Sequence, residues 1–184
     1  CSRATWGHSR CAPPRPRSVQ GVARAFRALR PAGIIWPVQE DGQISFRLED
    51  LTAVNGIEHG AAHDAMADVV ATIEMAKLLK RSDGELFSTL YRQRTKRAVT
   101  SLLDLENLTP LVHVSGMFGN ARHNLAVILP VAWHPRNNSE VICVDLGRAP
   151  DFLEEDAETL REHLFKSRDA LPEGIQRPPL KTVR

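Results

Sequence analysis

From Ser18 onward, Val19, Val22, Ala23, Phe26 and Leu29 recur at the spacing of one helix face, and Pro31 followed by Gly33 ends the run. That pattern predicts a first helix. The next segment, IIWPVQEDGQISFRLEDLTAVNG, carries a Gly42 turn, a short run around Ile44–Phe46 and a short helical piece over Leu48–Val54. A longer helix is predicted from Asp64, a good N-cap, with Met66, Val69, Val70, Ile73 and Ala76 as its buried stripe. Lys77, Lys80 and Arg81 suit the negative end of its dipole. After a candidate junction at Arg81–Gly84, Leu86–Val99 reads as one further helix, rich in basic residues.

The pattern then changes period. PLVHVSGMFG, NLAVILPVAWH and EVICVDLG are β-type runs separated by Gly, Pro and Asn, at spacings that predict a small antiparallel barrel or sheet. Asp156–Arg168 returns to helical spacing with Leu160, Leu164 and Phe165 on one face, and LPEGIQRPPLKTVR reads as a Pro-rich loop entering a strand. Residues 1–17, CSRATWGHSRCAPPRPR, have no apolar period and read as a disordered or non-native leader, left unassigned. Opening on Cys1 and ending at KTVR beside the start of a strand, the chain is read as part of a longer protein.

Composition narrows the class. With 184 residues and 42% hydrophobic side chains, the chain can bury a core of its own. Its net charge of +2 excludes a uniformly basic surface. The charge is nonetheless uneven: Arg3, Arg10, Arg15, Arg17, Arg24, Arg27 and Arg30 all precede the first acid, Glu40. That asymmetry fits either nucleic-acid contact or a solvated basic tail. Cys1, Cys11 and Cys143 lack metal-ligand spacing and are odd in number, which points to a reducing compartment and predicts a cytoplasmic protein. No apolar run is long enough to span a membrane, so no membrane partner is expected.

The chemistry concentrates in GIEHGAAHDAMADVVATIEMAK, Gly56–Lys77. If Asp64 caps the helix, His63 precedes it by one residue and Asp68 lies in or near its first turn. The positive helix end disfavours imidazolium, leaving a neutral ring able to accept a proton, and a carboxylate on a rigid helix is the hard oxygen ligand that Mg²⁺ takes. By spacing alone, the pair reads more readily as helix-start polar residues with a solvated Asp68.

The surrounding residues are more specific. NGIEHGAAHDAMADVVATIEMAKLL, preceded by GIIWPVQEDGQISFRLEDLT and followed by PLVHVSGMFG and AWHP, resembles the bacterial exodeoxyribonuclease I family, a branch of the DEDDh 3′ to 5′ exonucleases, from Ser18 to the end. The resemblance covers the middle of such proteins. It implies an α/β fold class: the C-terminal part of an RNase H-like exonuclease domain over residues 18–83, then an incomplete SH3-like β-barrel domain over 84–184. It also implies Mg²⁺-dependent 3′ to 5′ hydrolysis of single-stranded DNA to mononucleotides in DNA repair, a monomer, and single-strand-binding protein as a partner.

By that resemblance His63 is the general base, Asp68 a ligand in a site of two Mg²⁺ ions, and Arg47 a substrate contact. Lys96 and Lys181 match basic positions along the DNA path. Arg47 reads alternatively as a surface ion pair with Glu49 or Asp50, and the Arg92–Arg97 cluster with Tyr91 either as charge and stacking surface for the DNA groove or as a solvated helix face. Trp36 and Trp133 read as core or loop anchors. The family's Asp-x-Glu pair and further Asp are not found before His63. The isolated chain is therefore expected to be inactive, and a non-cleaving, single-stranded-DNA-binding remnant is the alternative.

Overall fold

The computed structural model describes residues 18–58, 65–167 and 170–183. These divide into two compact units: the described residues up to Val99 together with Val114–Leu125, and Thr100–His113 together with those from Ala126 on.

The first unit is helical. α1 (Val19–Leu29) starts where Ser18 Oγ accepts from the Gly21 amide, and its Ala23, Ala25 and Phe26 are buried. Pro31 stops it, and Gly33 at φ 78° turns the chain. A Cβ at Gly33 would also stand 3.2 Å from Ser82 Oγ, whose hydroxyl donates to the Ala32 carbonyl, so both conformation and space require glycine there. Val38 bridges Ile44 across the Gly42 turn, and α2 (Leu48–Val54) follows. α3 (Ala65–Ser82) packs against α1 and α2, and α4 (Gly84–Arg92) against α3 and α1. Ala23, Phe26, Ile34, Phe46, Leu51, Met75 and Leu79 form the core between them.

Two expectations are corrected. α3 buries Ala71, Met75 and Leu79, whereas Met66, Val69, Val70 and Ile73 are exposed, Met66 by 67%. This helix is apolar on more than one side, so spacing alone does not select the face; contact with α1 and α2 does. The single helix over Leu86–Val99 is broken: α4 ends at Arg92 and α5 (Lys96–Thr100) begins after a turn. Asp83 starts α4 by accepting from the Leu86 amide at 2.8 Å, and it pairs with Arg30 at 3.4 Å. The Asp64 cap lies outside the described residues.

The second unit is built on an open four-stranded sheet of order β1-β2-β3-β4: β1 (Leu111–Val114), β2 (Leu125–Trp133), β3 (Val141–Asp145) and β4 (Leu180–Val183). β3 runs antiparallel to both β2 and β4. The β2–β3 register slips between Pro130 and Ala132, where a residue without an amide hydrogen cannot complete the ladder. Ala126, Ile128, Pro130, Val141 and Cys143 are buried, and Cys143 is a free thiol pushed up to about 11 by that burial.

α6 (Ala157–Phe165) is capped by Asp156, which accepts from Glu158 and Thr159. Its buried residue is His163, whose Nδ1 meets both carboxylate oxygens of Glu155 at 3.1 Å, while Phe165 is 52% exposed. Of the predicted face, Leu160 and Leu164 are half-buried beside His163 while Phe165 is not: an imidazole held by Glu155 takes the fully buried position. No helix among the described residues is long and apolar enough to cross a membrane.

Candidate nucleic-acid interface

Arg47 sits at the N-cap of α2. Its side chain is exposed and makes no ion pair with Glu49 or Asp50 among the described residues; Asp50 instead accepts from the Ser45 hydroxyl. Ser45 Oγ in turn accepts from the Arg47 amide at 3.3 Å, which sets the chain direction entering the helix. Arg47 lines a cleft of about 350 Å³ together with Arg24, Gln43, Asn120 and Gly116.

Arg24 is the residue that sequence reasoning missed. It projects from α1 between the buried Ala23 and Ala25, and its guanidinium carbon lies 5.1 Å from the centroid of the Phe46 ring. Partial burial lowers its pKa from the ordinary arginine value, yet a guanidinium remains charged at neutral pH. The only available signal was its membership in the acid-free run before Glu40. Among the described residues no carboxylate lines the cleft; two guanidinium groups and the amides of Gln20, Gln39, Gln43, Asn120 and Asn124 do. Such a set attracts an anion, and planar guanidinium donors fork onto phosphate oxygens.

The other candidates lie elsewhere. Asp68 is exposed in the first turn of α3, Lys96 is exposed at the start of α5, and neither lines the cleft. His63 lies outside the described residues. Lys181 belongs to the second unit, on β4 opposite Cys143; burial first, and then the Lys181 charge, bring His113 of the same unit down to about 4. Arg94 stacks 3.7 Å from the Tyr91 ring centroid and also donates to the Tyr91 carbonyl, so part of the basic cluster is satisfied locally. Trp36 is a loop anchor, its indole donating to the Pro31 carbonyl at 2.9 Å, but Trp133 is 46% exposed at the end of β2. Among the described residues no group of three or more His, Cys, Asp or Glu could hold a metal ion.

Residues 94–184 match the model of the Exonuclease I SH3-like domain. Over 158 residues the chain is 52% identical to exodeoxyribonuclease I of Escherichia coli strain K12, covering 85% of this chain and 33% of that protein. The chain belongs to the exodeoxyribonuclease I family. The Haemophilus influenzae exodeoxyribonuclease I is 48% identical over 164 residues, 88% of this chain and 35% of the relative. The chain thus spans about a third of the length of these curated relatives.

Solved exodeoxyribonuclease I structures share its fold. One, Escherichia coli exonuclease I in complex with a dA16 oligonucleotide, is 49% identical over 90% of this chain and 35% of that chain, with a TM-score of 0.83. Another, an ExoI/SSB-Ct complex, is 48% identical over 90% of this chain and 35% of that one, with a TM-score of 0.79. The fold class is accordingly the C-terminal part of an RNase H-like exonuclease domain followed by an SH3-like sheet.

Proposed function

We propose that this chain serves Mg²⁺-dependent 3′ to 5′ hydrolysis of single-stranded DNA, and that the cleft of Arg24 and Arg47 holds the phosphate backbone of the strand. The observation that carries this reading is the pairing of two guanidinium groups with neutral amides in one open cleft, with no carboxylate among the described lining residues, in a chain so similar to exodeoxyribonuclease I. Backbone recognition needs little else: positive charge releases counterions from the strand, and amides position it without reading bases. A relative is solved with an oligonucleotide and another with an SSB C-terminal element, which supports single-stranded DNA and single-strand-binding protein as the partners.

Within this reading His63 is the general base, Asp68 a metal ligand, and Arg47, Lys96 and Lys181 contacts of the DNA path. Arg47, Lys96 and Asp68 are all exposed to solvent, as contacts with a strand require. One carboxylate is too few to hold a catalytic pair of Mg²⁺ ions, and the described residues supply no cluster of three or more His, Cys, Asp or Glu that would complete the site. The part that these residues take is to bind and orient the strand.

Titration of a labelled oligothymidine with the chain, at low and moderate salt, tests the reading. Binding should fall steeply with salt and exceed binding to a duplex of equal length. Salt-independent binding, or a preference for duplex, would count against it.

A further inference from the structure

One side chain joins the two walls of the cleft. Asn120 Nδ2 donates to Gln43 Oε1 at 3.1 Å and to the Ile44 carbonyl at 3.2 Å, while Asn120 Oδ1 accepts from Asn124 Nδ2 at 3.0 Å. All these residues lie in the first unit. His123 and Asn124 are both left-handed, at φ 51° and 57°, and the Ser115 amide donates to the Asn124 carbonyl at 2.7 Å, so the loop closes on itself before it meets the other wall.

The same loop carries Gly116, where an added Cβ would stand 3.4 Å from Arg24 Nε. Arg24 therefore borders two parts of the cleft: Gly116 of the Asn120 loop, where an added Cβ would meet its Nε, and the Phe46 ring, two residues beyond the Ile44 carbonyl that Asn120 grips. A long arginine side chain loses rotamer freedom when it binds, and a site that has already fixed it spares that loss. We propose that Asn120 is a positioning residue, latching the 115–124 loop onto the 39–46 turn so that the Arg24 guanidinium is held ready for a backbone phosphate. The proposal rests on the reading of the cleft as a phosphodiester site.

Anisotropy of a labelled oligothymidine, measured with the 184-residue chain over a salt series, tests it through a double-mutant cycle. Asn120→Ala and Arg24→Ala should each weaken binding by roughly three- to tenfold at low salt and lower the log–log salt slope by about one. The double variant should bind no more weakly than Arg24→Ala alone. Gln43→Ala removes one latch bond and leaves the other; its intermediate loss keeps the proposal testable if circular dichroism shows Asn120→Ala to be unfolded. Additive losses in the double variant, or an unchanged salt slope in Asn120→Ala, would overturn the latch. If Arg24→Ala weakens binding and a folded Asn120→Ala does not, the latch alone is wrong. If the unaltered chain shows no salt-dependent binding, the phosphodiester reading itself fails and takes the latch with it.

Discussion

The guanidinium carbon of Arg24 lies 5.1 Å from the centre of the Phe46 ring, on the cleft that Arg47 also lines. The ring belongs to the core that holds α1, α2 and α3 together, so the position of the charge is tied to the packing of the unit. A cation over an aromatic face is stabilised by the ring quadrupole while its remaining donors stay available to a ligand.

Arg24→Lys separates charge from shape. The ammonium keeps one positive charge but cannot lie flat on Phe46 or fork onto a phosphate. Binding to single-stranded DNA should weaken by a few-fold while the salt slope is retained, as read by anisotropy over a salt series. A slope that falls as far as in Arg24→Ala would show that the charge no longer reaches the strand.

The face of α3 can be tested by stability. Met75 is fully buried, and Met75→Ala should cost about 2–5 kcal/mol through lost burial and the cavity left behind. Ile73 is 47% exposed, and Ile73→Ala should cost less than about 1 kcal/mol. Urea unfolding of the two variants decides between this face and the one that spacing predicts.

His113 sets a pH window. Its pKa falls from 6.5 to about 4, chiefly because burial disfavours the imidazolium and further because Lys181 repels it. The unfolded chain therefore binds the proton more readily than the folded one between about pH 4 and 6.5. Stability from this group is fully present above about 6.5 and is lost as the pH falls toward 4, by up to about 3 kcal/mol. Thermal melts from pH 7 to pH 4.5 should show a decline that His113→Gln flattens and Lys181→Ala reduces.

Much of this was legible in the sequence, because local rules and tertiary context agree there. α1 starts at Ser18, whose side chain caps it, and ends before Pro31, while α2 occupies Leu48–Val54 without a side-chain cap, bounded by the Asn55–Gly56 turn. The strands follow their β-type runs for the same reason. What failed was the choice of face on α3, since a helix apolar on several sides is oriented by its neighbours and not by its period. The inner place of His163 was hidden too, because only its contact with Glu155 makes an imidazole suitable there. Of the residues lining the cleft, Arg47 was singled out in the sequence through the SFRLE stretch, whereas Arg24 and Asn120 were not: their partners lie 22 and 76 residues away, at Phe46 and Ile44.

The proposed roles of His63 as base and Asp68 as metal ligand are tested most directly by a graft. Its residues 18–183 can replace the matching third of the Escherichia coli relative, and mononucleotide release from the 3′ end of single-stranded DNA in Mg²⁺ can then be measured. The graft should be active. Asp68→Asn in the graft should abolish release while DNA binding survives, and His63→Ala should slow it by roughly 10²–10⁴-fold, the usual loss on removing a general base. A graft that releases mononucleotides equally well with Asn at position 68 would contradict the account.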